Sequence, residues 1–242
     1  MIQFHRAYRL IGGVLDILYP PRCLVCERIS GKRPWLCDGC IEMLCRSTDV
    51  RCHAGLPDFQ YLSAPLYFDR IYTVWPYSPE IGTLVHHVKY RSGRQVGLWL
   101  GRFVAERLHP ILAEESDGIL IPVPLHPLRR RERGFNQSAL YARRLSERFG
   151  MPVLEKVLIR YKATPSQTLL SAEARQDNVR NAFRVRYPEQ IRRRRIYIID
   201  DLVTTGATLN ACARRLKESG VKEVTGIALV RPRIRLDIRE LS

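Results

Sequence analysis

No stretch of the 242 residues approaches the roughly 18 consecutive apolar residues that a membrane-spanning helix needs. Apolar runs such as 118–125 and 196–199 end quickly in polar residues, which excludes a helical membrane protein. The apolar segment 10–18 reads poorly as a secretory signal, since it carries Asp16 and meets Pro20, Pro21 and Arg22 instead of a small-residue cleavage site. A cytoplasmic protein is expected. Neither a Walker A loop nor a G-x-G-x-x-G fingerprint is present, which counts against nucleoside-triphosphate hydrolysis and dinucleotide binding. Acidic residues are scarce, 24 against 40 Lys and Arg, and the formal charge of +16 favours polyanionic partners: nucleic acid, anionic lipid or phosphorylated small molecules.

What is present describes a core-forming globular chain, 45% hydrophobic and 26% charged, long enough for one medium domain and a small appendage. Six of the seven cysteines lie between Cys23 and Cys52. In a reducing compartment such a set binds metal in preference to forming disulfides. Cys23, Cys26, Cys37 and Cys40 form two C-x-x-C knuckles ten residues apart, the pattern of a tetrahedral four-cysteine zinc with no coordination position left for water, hence structural. Cys45, Cys52 and the neighbouring His53 are left over, and Cys212 reads as a small buried residue. Residues 1–58 are therefore expected to be an N-terminal helix (5–18) and a zinc ribbon, and residues 59–242 the main domain.

In the main domain, residues 61–77 read as one or two short strands, and 80–90 and 95–112 as helices. Then strand-like and helical patterns alternate: strand 118–123, helix 137–149, strand 153–159, strand 195–199, helix 207–219 closed by Gly220, and strand 224–230. Such alternation predicts an α/β fold with a mainly parallel sheet and helices on both faces. The polar stretch 160–181 has the length and composition of a functional lid. Tyr67, Phe68 and Trp75 are read either as core or as the lining of a hood.

The sharpest signal is Ile196-Tyr197-Ile198-Ile199-Asp200-Asp201-Leu202-Val203-Thr204-Thr205-Gly206-Ala207-Thr208. A buried strand runs into two adjacent carboxylates and then into a hydroxyl- and glycine-bearing turn that opens a helix. Unpaired amides at the helix start, with the Thr204, Thr205 and Thr208 hydroxyls, make an anion site. Two carboxylates beside a phosphate repel it unless they hold sugar hydroxyls or a divalent cation, so a ligand combining phosphate, sugar diol and metal satisfies every group.

This stretch resembles the signature of type I phosphoribosyltransferases, which bind phosphoribosyl pyrophosphate (PRPP). The resemblance implies that Asp200 and Asp201 meet the ribose hydroxyls, directly or through metal, and that Thr204, Thr205, Gly206, Ala207 and Thr208 hold the 5′-phosphate. Two further segments are similar to the ComF family of competence-associated, phosphoribosyltransferase-like proteins. One is Ile121-Pro122-Val123-Pro124-Leu125-His126-Pro127 with Arg129, Arg130, Arg131 and then Arg133-Gly134-Phe135-Asn136-Gln137. The other contains Arg160, Thr164, Pro165, Gln167, Leu170, Arg175, Asn178 and Phe183. The zinc-ribbon-like N-terminus and His87-Val88-Lys89-Tyr90 extend the likeness over nearly the whole chain.

By position, 122–127 resembles the family's pyrophosphate loop, at the carboxyl end of a parallel strand where open α/β sheets bind ligands. Arg133, Asn136 and Gln137 are then candidates to clamp phosphate oxygens, with Asn136 as a plain helix cap the competing reading. His126 reads as a turn residue. Arg160, Lys162 and Arg175 are placed to close over pyrophosphate, which makes Arg160 and Arg175, with the two aspartates, the catalytic candidates. The implied function is Mg²⁺-dependent transfer of phosphoribosyl from PRPP to an unknown acceptor, linked to uptake or use of DNA. The alternative is a non-catalytic protein that binds single-stranded DNA or a competence helicase through the arginine clusters and keeps the PRPP site for regulation or structure.

Overall fold

A computed structural model of the chain describes residues 20–30, 35–55, 59, 62, 65–90, 93–115, 117–161 and 181–232. The chain divides into two compact units, Met1–Ser47 and Thr48–Ser242. The expected helix over 5–18 and most of the 160–181 stretch, with Lys162 and Arg175, lie outside the described residues.

In the first unit the chain turns tightly after Cys23, whose carbonyl accepts from the Glu27 amide at 2.9 Å while its own amide donates to Arg28 at 2.7 Å. The helix α1 (Asp38–Arg46) starts directly after Cys37, with Asp38 in the first turn, where its charge opposes the positive helix end. Cys40 and Leu44, four residues apart, form its buried face.

The second unit holds, in chain order, β1 (Arg51–His53), β2 (Arg70–Pro76), α2 (Pro79–Val88), α3 (Arg94–Leu112), β3 (Ile119–Pro122), α4 (Pro127–Arg133), α5 (Gln137–Phe149), β4 (Leu158–Arg160), β5 (Phe183–Val185), β6 (Arg195–Leu202), α6 (Ala207–Glu218) and β7 (Glu223–Arg231). A five-stranded sheet has the order β1-β2-β7-β6-β3, and β4 and β5 pair separately as an antiparallel ribbon. All pairings in the large sheet are parallel except β1 with β2. This is the mainly parallel α/β sheet that the alternating pattern predicts.

The stretch 153–159 is not one strand. Val153 makes a single parallel bridge to Leu120, a turn follows, and β4 begins at Leu158. The polar pair Glu155 and Lys156 interrupts the apolar pattern, and Glu155 is held by Arg143 of α5 at 2.6 Å. Among its described residues, the 61–77 region holds one strand, β2. Trp75 and Phe68 are buried, and Trp75 stacks on Phe103 with ring centres 5.1 Å apart, so both belong to the core.

The connections place a candidate ligand crevice. From β3 the chain returns through α5 to Val153 on the outer side of that strand, while from β6 it crosses through α6 to β7 in the other direction. Chain directions diverge between β3 and β6, and at such a switch point the carboxyl ends of two parallel strands bound a ligand crevice. Alternation along β6 sends Ile196 and Ile198 into the cluster that contains Leu209, Cys212 and Leu216 of α6, leaving Tyr197 and Ile199 for the opposite face. The same alternation carries past the core to Asp200 and Asp201, which leave the strand towards opposite faces.

Candidate functional site

Asp200 and Asp201 end the buried part of β6 and are only 8% and 7% exposed. Their surroundings differ. Asp200 accepts from the Ser138 hydroxyl at 3.3 Å and from the Asp201 amide at 2.9 Å. Asp201 accepts from the Gln137 side-chain amide at 3.4 Å and has the Lys89 ammonium 3.6 Å away. Burial, and then the adjacent Asp201 charge, push the Asp200 carboxyl well above the usual carboxylate range. Among the described residues few donors face these two buried carboxylates, and a divalent cation, or hydroxyl donors such as those of a diol, are the groups that compensate such a pair.

The turn after β6 is built for close approach. Gly206 has φ +84°, and a Cβ there would stand 2.9 Å from the Phe59 ring and 3.3 Å from Leu62, so both backbone conformation and space require glycine. Thr205 Oγ1 accepts from the Ala207 amide at 3.3 Å. The ladder of α6 starts with the Asn210 amide donating to Gly206, so the Thr208 and Leu209 amides belong to the helix start that an anion can occupy. Thr204 and Thr208 are half-buried at the rim. The buried Asn210 side chain accepts from the Tyr67 amide at 2.7 Å and donates to the Pro65 carbonyl at 3.2 Å, pinning the approach to β2 beside the turn. Arg231, over the Phe59 ring at 4.4 Å, completes the packing behind it.

On the β3 side, His126 caps α4 by accepting from the Leu128 amide, as befits a turn residue. Gly134 ends that helix in the left-handed region, and Asn136 caps α5. Both ends of the Asn136 amide are engaged, its oxygen by the Ser138 amide at 3.2 Å and its nitrogen with the Val123 carbonyl at 3.0 Å. The cap thereby ties α5 to the β3 loop, and one amide hydrogen remains for a ligand. Arg133 donates to the Gln137 side-chain oxygen at 3.0 Å, and Gln137 passes its own amide to Asp201. Burial lowers the Arg133 pKa, partly offset by Asp201. Arg160, on β4, lies over the Phe183 ring at 5.6 Å; burial lowers its pKa, while Cys212 and Asp200 draw it back up. Asp200, Asp201, Arg133, Gln137 and Arg160 are thus electrostatic neighbours.

In the first unit, the ligand atoms of Cys23, Cys26, Cys37 and Cys40 lie within 4.8 Å of one another, with Cys26 Sγ and Cys37 Sγ 3.6 Å apart. A tetrahedron of sulfurs about 2.3 Å from zinc has edges of about 3.8 Å, so the set fits that ion. Burial works to raise the Cys23 thiol, but the Cys26, Cys37 and Val25 amides outweigh it and bring the pKa down to about 6. Cys40 goes up, from burial and from the Cys26 and Cys37 sulfurs. Among the described residues, Cys45 and Cys52 join no such cluster, and His53 is engaged with the Thr73 hydroxyl at 2.9 Å.

Two family models match the chain: a double zinc ribbon domain over residues 14–60 and a phosphoribosyl transferase domain over residues 134–237. The chain is 32% identical to DNA utilization protein YhgH of Salmonella typhimurium over 207 residues, 84% of this chain and 86% of the relative. It is 29% identical to Competence protein F of Haemophilus influenzae over 226 residues, 87% and 96% of the two chains. It is 33% identical to Competence protein ComFC of Bacillus subtilis over 114 residues, 47% and 44%. The chain belongs to the ComF family.

Within this ComF-family chain two residues beside the acid pair, Ser138 and Tyr141, stand outside the sequence motifs, and a third, Lys89, belongs to the family-like segment 87–90 without a role assigned to it there. Ser138 and Tyr141 share the face of α5 that carries Gln137, and Lys89 follows α2. Tyr141 is fully buried, its hydroxyl has no hydrogen-bond partner among the described residues, and burial, then Asp201 and Asp200, push its pKa well up. A period-3.6 count places Ser138 and Tyr141 on the inner face of α5, but only the sheet order brings that face to the acid pair. Among the described residues, no helix is long and apolar enough to cross a membrane.

Two outcomes follow from these geometries. Purified protein is expected to carry about one zinc per chain, and Cys37→Ser to release it and speed amide exchange in the first unit while the sheet stays protected; metal analysis and hydrogen exchange check this. For Asp200, a raised folded-state pKa means that stability falls as pH rises from the ordinary carboxylate range through the raised value. Asp200→Asn is therefore expected to raise the melting temperature of ligand-free protein at pH 8 and to make little difference at pH 3, where the wild-type carboxyl is protonated folded and unfolded. Thermal melts across that range read the sign.

Proposed function

We propose that this chain binds PRPP with Mg²⁺ and transfers its phosphoribosyl group to an acceptor, in the service of DNA use. The observation that carries this reading is the meeting of a buried carboxylate pair with an amide- and hydroxyl-lined turn at one switch-point crevice. The phosphoribosyl transferase match over residues 134–237 supports it, and the names of the relatives, DNA utilization protein and competence protein, support the link to DNA.

In this reading Thr204, Thr205, Gly206, Ala207 and Thr208 hold the 5′-phosphate, while Asp200 and Asp201 hold the ribose diol and the metal. Mg²⁺ supplies charge neutralisation between the acid pair, the diol and the pyrophosphate. Arg133 and Gln137, with the spare Asn136 hydrogen, face the pyrophosphate. Arg160 and Arg175 shield it as it leaves. The bond from ribose C1 to pyrophosphate oxygen breaks, its electron pair departs with pyrophosphate, and an acceptor lone pair forms the new bond at C1. The protein contributes orientation and placed charge, with no nucleophile of its own.

A second reading, a non-catalytic binder of single-stranded DNA, is favoured by the exposed Arg129, Arg130 and Arg131 on α4. Pyrophosphate release from PRPP, measured with Mg²⁺ and a panel of bases and amines, separates the two. Release is expected with at least one acceptor, falling about 100-fold or more in the Asp200→Asn, Asp201→Asn double variant. No release with any acceptor, alongside single-stranded DNA affinity that falls linearly with log salt, would leave the second reading.

A further inference from the structure

The acid pair already has a cation beside it. Lys89 Nζ is 3.6 Å from Asp201 Oδ2, the same oxygen that accepts from Gln137. The position of Lys89 is fixed from behind. Its amide donates to the His86 carbonyl at 3.0 Å, and the preceding helix buries Ile81, Leu84, Val85 and Val88. The side chain itself is about one-third exposed, against 10% for Asp201, so the cation of the pair is the more solvated partner and is carried at the end of a flexible stem.

Among the described residues, the other groups facing the pair are engaged differently. Arg133 is committed to Gln137, Arg160 lies on the Asp200 side, and Ser138 and Gln137 bring only neutral dipoles. The Tyr141 hydroxyl, buried and unpaired among the described residues, is a further polar atom left unsatisfied near the pair. A divalent cation on Asp201 would meet the ammonium at the same oxygen, and two positive charges cannot share that contact cheaply. The displaced ammonium would need another anion within its reach.

We infer that Lys89 is a stand-in counter-ion, which holds Asp201 in the ligand-free protein, yields it to the divalent cation, and turns to the pyrophosphate of the same ligand. The exchange makes metal and PRPP binding cooperative, because each removes a cost of admitting the other. Lys89 is thus a positioning residue in the empty site and a phosphate contact in the filled one. The second half of this inference rests on the PRPP reading; the first half does not.

The test uses the full chain and Mn²⁺, an oxygen-seeking ion that leaves the cysteine site aside, with free Mn²⁺ followed by its paramagnetic resonance signal. Titrated with Mn²⁺ alone, Lys89→Gln is expected to bind about fivefold tighter or more than wild type, while Lys89→Arg stays near wild type. With PRPP added, the factor by which PRPP tightens Mn²⁺ is expected to fall by about fivefold or more in Lys89→Gln. Lys89→Met, which keeps the aliphatic stem, replaces the Gln variant should that fail to fold. Unchanged or weaker binding of Mn²⁺ alone in the neutral variants, or no measurable Mn²⁺ binding in any of the proteins, overturns the counter-ion role. A wild type whose Mn²⁺ affinity ignores PRPP overturns the PRPP reading instead, and the metal-only comparison still decides what Lys89 does.

Discussion

Everything at the crevice depends on one unfavourable fact, two consecutive carboxylates buried at the end of a central parallel strand. A carboxylate taken out of water without compensation costs several kcal/mol, and a second one beside it raises that cost. The surrounding elements read as partial compensation: α5 lends Gln137 and Ser138, the residue after α2 lends Lys89, and Arg133 reaches the pair through Gln137. None of these gives Asp200 a formal charge partner within bonding distance, and its carboxyl is accordingly displaced upward. A structure that keeps such a pair in its core layer forgoes stability there, as functional sites commonly do.

The turn after β6, proposed as the anion site, is the other half of the same design. Six residues after Asp200, Gly206 bends the chain into the start of α6, and its hydrogen side lies against Phe59 and Leu62. The turn is therefore held by packing from the segment before β2 and by the Asn210 bonds to Pro65 and Tyr67, as well as by its own backbone. Acid pair and turn are thus rigidly spaced by one strand end. Preorganised spacing is what a ligand with a phosphate at one end and a sugar diol and pyrophosphate at the other can exploit.

The strand, acid pair, turn and helix from 195 to 218 were legible in the sequence because the chemistry is local: a strand buried on both faces reads as a continuous apolar run, and the residues that break it are adjacent. The four thiols were legible for the same reason. The segment 87–90 stood out in the sequence, but the place of Lys89 beside the acid pair did not, because it lies more than a hundred residues from Asp201 and only the fold brings the end of α2 to β6. The three-residue β1 has two exposed residues and one buried one, too short for alternation to show, and α1 sits where cysteines and turns mask the period. The arginine clusters were legible as charge but not as structure: Arg195 is drawn into a network with Glu115, Asp117 and Glu223, and Arg143 into a pair with Glu155. Those side chains hold the fold's own acids, as Arg129 of α4 does with Glu132, while Arg130, Arg131, Arg192, Arg193 and Arg194 are exposed.

The central claim is that acid pair and anion turn form one site for one ligand whose phosphates and metal arrive together. Calorimetric titration of PRPP into zinc-replete protein, with and without Mg²⁺, tests it most directly. Affinity is expected to rise about tenfold or more with Mg²⁺, since only the metal reconciles the phosphates with the carboxylates. An affinity that is the same with and without Mg²⁺, or no heat of binding in either, would contradict the account.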